Sequence, residues 1–156
     1  MEEMKTIYQV GGTLCKDFVG QISYSVCLEE TYKELDIEFS FEPQHFRPED
    51  VTSELKQQIL DYCKKEYDMQ EPTPEQWDDD VLHGTKTEIH TMATLNDEFI
   101  GCIHRQLTTR HMHFTADEAT EGCIPLETID GVLKVTILAF SVLVDHTTYT
   151  LTVRAR

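Results

Sequence analysis

The sequence predicts a single α+β domain, mostly antiparallel sheet, with two helices packed on one face. Three observations carry that prediction. Apolar and polar residues alternate at period two before residue 42 and again after residue 86. Between them, from about 52 to 67 and 74 to 83, apolar residues recur at helical spacing. No repeat, low-complexity run or long linker interrupts the 156 residues, so 1–156 reads as one domain.

Residues 5–10 read as a first strand, ended by Gly11-Gly12. In 18–28, Phe18, Ile22, Tyr24, Val26 and Leu28 share one parity and Gln21, Ser23 and Ser25 the other, the pattern of a half-buried strand. In 35–41, Leu35, Ile37, Phe39 and Phe41 point one way and Asp36, Glu38 and Ser40 the other. The short linker 29–33 suggests a hairpin, so the N-terminal third reads as an antiparallel meander.

Thr52 is suited to cap a helix whose apolar positions are Leu55, Ile59, Tyr62 and Cys63. Thr73, Pro74 and Gln76 form a capping-box start for a second helix, closed by Gly84. Two strands, 87–95 and 99–107, flank the turn residues Asn96-Asp97-Glu98, and 109–114 extends the second arm. Thr115 to Glu118 resembles a capping box for one or two helical turns ending at Gly122. Strands at 131–144 and 147–154 finish the chain. The run 137–144 is apolar on both parities, which predicts a central strand.

Acids outnumber bases 29 to 13, a net charge of −16. That argues against direct nucleic-acid binding and against an anionic membrane surface, and favours a basic protein partner. The longest apolar stretch is far shorter than the roughly 20 residues a membrane helix needs. The acidic N-terminus has no secretory pattern, and five cysteines without a paired spacing do not form a disulfide framework. A cytoplasmic protein with free thiols is the expectation.

Residues 1–80 hold 20 of the acids and 7 of the bases. Asp36, Glu38 and Glu42 on the outward parity of one strand, with Glu75, Asp78, Asp79 and Asp80 around the second helix, are the candidate partner-binding residues. Carboxylates in such a row can imitate the phosphates of a nucleic acid, about one charge per 1.7 Å of duplex axis. A metal site is the competing reading. With a three-residue turn, His90 faces His104 and Met92 faces Cys102, so His90, Cys102 and His104 could take zinc, with His111 or His113 as a further ligand. A two-residue turn would separate the pair. No phosphate loop, dinucleotide fingerprint, nucleophile elbow or HExxH motif is present, and no catalytic residue is assigned. Apart from zinc, no cofactor is expected.

The segments Thr87-Glu88-Ile89-His90-Thr91-Met92, Gly101-Cys102-Ile103-His104-Arg105, Tyr8-Gln9-Val10-Gly11-Gly12 and Thr120-Glu121-Gly122-Cys123 together resemble small acidic proteins of unknown function carried by conjugative elements and phages of gut Firmicutes. The resemblance spans nearly the whole chain and assigns no active site. It implies a mobile-element setting, in which an acidic protein serves to inhibit a host defence or DNA-processing enzyme.

Three function classes follow. A non-enzymatic acidic protein that binds a basic partner is the leading one, with a nucleic-acid mimic as its specific form. A small metalloprotein built on the histidine hairpin is the second. A structural or assembly subunit, including a homo-oligomer, is the third; Arg105, Arg110, Arg154 and Arg156 in the less acidic half would give such a molecule a dipole for head-to-tail contact.

Overall fold

A computed structural model describes all residues except 1, 2, 69, 71 and 78–81. The chain is α+β and mainly β, with eight strands: β1 (Lys5–Leu14), β2 (Gly20–Tyr32), β3 (Leu35–Glu42), β4 (Glu88–Leu95), β5 (Glu98–Ile103), β6 (Thr109–Phe114), β7 (Ile129–Ser141) and β8 (Thr147–Ala155). A 3-10 turn (Pro48–Asp50) and two α-helical segments, α1 (Ser53–Tyr67) and α2 (Pro74–Gln76), lie between β3 and β4 among the described residues. The strands form two antiparallel sheets of four. Sheet A runs β1-β8-β3-β6 and sheet B runs β2-β7-β4-β5.

The alternation of β3 shows why the sheets stack. Leu35, Ile37, Phe39 and Phe41 are all buried on its inner face. They join Leu151 and Val153 of β8 and Ile89, Val135 and Ile137 of sheet B in one apolar core. Each such side chain taken fully from water contributes about 1.5–3 kcal/mol. The inner face of each sheet is therefore covered by the other sheet. The expected central position of the strand through 137–144 holds, since β7 lies between β2 and β4.

The meander does not form. β1 pairs with β8 and β2 pairs with β7, so neither pairs with its neighbour in sequence, and β2 and β3 lie in different sheets. Likewise β6 does not extend the β5 arm but crosses to pair with β3. The first strand also runs through Gly11-Gly12 instead of ending there. A Cβ on Gly12 would overlap the ring of Tyr149 on β8, so glycine here admits a close neighbour within a strand. Tyr149 in turn meets Tyr24 of β2 through a hydroxyl–hydroxyl bond of 2.5 Å that ties sheet A to sheet B. Around Thr115 the capping bond forms, Glu118 N donating to Thr115 Oγ1 at 3.1 Å, yet the segment closes as a turn without a helix.

Both helix starts form as their caps dictate. Thr52 Oγ1 accepts from Leu55 N, and Thr73 and Gln76 exchange the two bonds of a capping box. The helix α2 spans Pro74–Gln76, and the expectation of a helix continuing to 83 falls in part on 78–81, outside the described residues. The insertion meets the end of the sandwich. Leu55, Ile59 and Tyr62 of α1 share a cleft with Lys16, Val142 and Leu143. Its two ends are tied together by Thr87 N donating to Gln44 O at 2.7 Å. No residue of α1 is fully buried.

Candidate functional site

Three side-chain groupings stand out, and the first occupies the outer face of sheet A. Because β3 lies between β6 and β8, its outward acids face bases on both sides. Asp36 sits opposite His113 on β6 and Arg154 on β8, and Glu38 opposite His111 on β6. Asp36 is only 7% exposed. Its oxygens accept from His111 Nδ1 at 3.0 Å and His113 Nδ1 at 3.3 Å. Arg154 donates to Glu38 at 3.0 Å, His113 Nε2 lies 2.8 Å from Glu34, and Arg156 pairs with Glu34. Asp36 and Glu38 thus belong to an acid–base ladder across three strands, rather than to an open acidic stripe.

The other acidic candidates are placed differently. Glu42 is exposed at the end of β3, beside a cleft lined by Thr108, Thr148 and Tyr149. Glu75 is exposed in the first turn of α2. Asp78, Asp79 and Asp80 lie outside the described residues. Within α1, Glu54, Asp61 and Glu66 are exposed as well. Among the described residues none of these five glutamates and aspartates lies within 4.0 Å of a lysine or arginine, in contrast to the ladder.

The second grouping is the histidine pair on the outer face of sheet B. The β4–β5 turn has two residues, Asn96 and Asp97, both with positive φ, the mirror-image turn that hairpins favour. A bulge between Ala93 and Thr94 then shifts the register, so that Thr91 pairs with Ile103 and Met92 with Cys102. His90 and His104 therefore meet despite the short turn. Their Nδ1 atoms are 3.1 Å apart and their rings stand nearly perpendicular at 4.8 Å. The other nitrogen of His90 contacts Glu88 at 3.1 Å. Cys102 does not complete a ligand set. Among the described residues no three histidine, cysteine or carboxylate groups come together where they could hold a metal. His111 and His113 are in the other sheet, engaged by Asp36.

The third grouping escaped sequence reasoning. Arg110 shares the inward parity of β6 with Met112 and Phe114 and is only 3% exposed. Its Nη1 donates to Ile89 O at 2.6 Å, and Nη2 and Nε donate to Leu107 O at 2.9 and 3.2 Å. The guanidinium also stands over the rings of Phe39 and Phe41, at 5.6 and 5.7 Å. Burial pulls its pKa down to about 10, a shift partly offset by the Cys102 thiol. An arginine on the apolar parity of a strand is the signal that marks it.

Arg110 lines a cleft of about 400 Å³ where the edge strands β5 and β6 of the two sheets approach. The far wall is the 120–122 turn, held to β5 by Cys102 N donating to Gly122 O at 3.1 Å. Gly122 has φ of +88°, and a Cβ there would strike the Cys102 carbonyl, so this wall requires glycine.

A family model described as a family of unknown function (DUF6669) matches residues 1–156. No curated protein and no solved structure matches the chain.

Proposed function

The chain belongs to the family DUF6669, and for it we propose a role as a non-enzymatic acidic binding protein that docks on a basic protein partner. One observation carries the reading. Residues 42–80 hold twelve acids and four bases, and the described acids Glu42, Glu54, Asp61, Glu66 and Glu75 have no lysine or arginine partner. This segment supplies half of the net charge of −16 from a quarter of the chain. A concentrated field of one sign steers a basic partner and is screened by salt.

The finer version is a nucleic-acid mimic that fills the phosphate-binding groove of a DNA-processing or defence enzyme. It draws on the spacing of the carboxylates and on the resemblance to acidic proteins of mobile elements. Glu42, Glu75, Asp78, Asp79 and Asp80 are the residues assigned to contact. Asp36 and Glu38 support the fold beside them, since their carboxylates are already engaged.

The test is capture of partners from nuclease-treated lysate, elution by rising salt, and competition by duplex DNA. A basic partner released between about 0.1 and 0.5 M salt and displaced by DNA supports the mimic. Lysine substitutions at Glu42, Glu75 and Asp78 to Asp80 are expected to abolish capture while circular dichroism stays unchanged. Capture that survives those reversals, or ignores salt, overturns the reading.

A further inference from the structure

Of the five arginines in the chain, three are held by carboxylates: Arg47 by Asp50, Arg154 by Glu38 and Arg156 by Glu34. Among the described residues, Arg105 and Arg110 pair with no carboxylate, in a chain where acids outnumber bases two to one. Both line the same cleft at the β5–β6 seam. The two arginines without a carboxylate partner among the described residues thus share one concave site of about 400 Å³.

Carbonyl oxygens and ring faces solvate the Arg110 guanidinium but supply no full negative charge. A charge kept this dry acts through a low effective dielectric, so an anion beside it is held more strongly than at the surface. Arg105, exposed at the mouth, adds a second planar fork matched to the paired oxygens of a carboxylate or phosphate. Thr120 and His104 line the same space and offer further polar groups. Glu121 lines it too, and its carboxylate opposes an anion, so the site sets two guanidiniums against one acid.

We propose that this cleft binds a small oxyanion, phosphate or carboxylate, between Arg105 and Arg110. The site is independent of the acidic 42–80 segment and of any protein partner. It gives the molecule a small-ligand function separate from charge-driven docking.

Isothermal titration calorimetry of the full chain at fixed pH and ionic strength tests it, with inorganic phosphate and malonate as separate probes. Saturable one-to-one binding of at least one probe is expected, and the stronger of the two names the class. Arg105→Gln removes an exposed side chain and is expected to weaken binding about tenfold or more with the fold retained. Arg110→Lys keeps the charge but loses the fork; it is expected to weaken binding where it folds, and where it does not, Arg105→Gln decides. No saturable heat from either probe, or equal affinity in the wild type and Arg105→Gln, overturns the proposal.

Discussion

Replacing Asp36 by alanine leaves His111, His113 and Arg154 facing one another without the carboxylate that separates them. Hydrogen bonds to a charged group contribute about 1.5–3 kcal/mol each when buried, less when the donors are half exposed as here. Asp36→Ala is therefore expected to cost about 1–3 kcal/mol, read as a lower urea midpoint with an unchanged slope. Glu42→Ala, on the same strand with no such partner, is expected to change stability by less than about 0.5 kcal/mol. Equal losses for the two would refute the ladder's structural role. Cysteine reactivity makes a second residue-scale prediction. Burial pushes the Cys123 thiol up to about 11 from an ordinary value of 9.0, with the neighbouring Cys102 adding to the shift. The thiolate is the reactive form, so Cys123 is expected to alkylate far more slowly at pH 8 than the exposed Cys15 and Cys27. The sign of the linked stability follows. A raised folded pKa means the folded state keeps its proton while the unfolded state loses it. This contribution is complete below about pH 9 and is lost as pH rises through about 11. Mass spectrometry of iodoacetamide-treated protein and urea midpoints at pH 8 and 10.5 check the two halves.

At the scale of elements, much of what is written within a few residues was legible, though the Thr115 cap and Gly11-Gly12 were not, and the pairing of distant strands was not. Thr52 and the Thr73–Gln76 box mark helix starts because a cap bonds to backbone three residues away. The His90–His104 juxtaposition followed from hairpin register, although it arises from a two-residue turn plus a bulge rather than from the three-residue turn the sequence suggested. Alternation in β3 shows which residues face out, yet says nothing of the histidines and arginine that flank them. Those come from β6 and β8, more than seventy positions along. The acidic stripe read from β3 alone became a hydrogen-bonded acid–base ladder for that reason. The same reasoning grades the elements by stability. The helix α1 has no fully buried residue, whereas β3, β7 and β8 carry much of the core. Amide hydrogen exchange is expected to be fastest in 53–67 and slowest in β7 and β8, with α1 opening before the sandwich. Thr52→Ala should speed exchange in α1, consistent with about 1 kcal/mol for a lost cap, and leave β7 unchanged. Protection in α1 equal to that of β7 would show that the insertion and the sandwich open as one unit.

Over the whole molecule, charge and fold separate into different regions, and that separation can be tested. The sandwich is closed by pairings that span nearly the full chain, Lys5 opposite Ala155 among them, which no local pattern reveals. Its core is an apolar cluster, and Asp36 and Glu38 on the outer face of β3 are answered by bases. Half of the net negative charge comes instead from residues 42–80, where the described acids other than Asp50 are exposed. Like charges so concentrated repel one another, and that repulsion opposes folding more strongly at low salt than at high salt. Changing Glu42, Glu54, Asp61 and Glu75 together to lysine removes a large part of the repulsion without touching the core or the ladder. If those acids serve binding rather than architecture, the variant is expected to be as stable as the wild type or more so at about 10 mM salt, where screening is weakest. The wild type is expected to close that gap as salt rises. Partner capture should fall in the same variant, so stability and binding move in opposite directions. A variant that loses stability at every salt concentration would show that the acids hold the insertion in place, and the acidic surface would then be structural rather than a docking site.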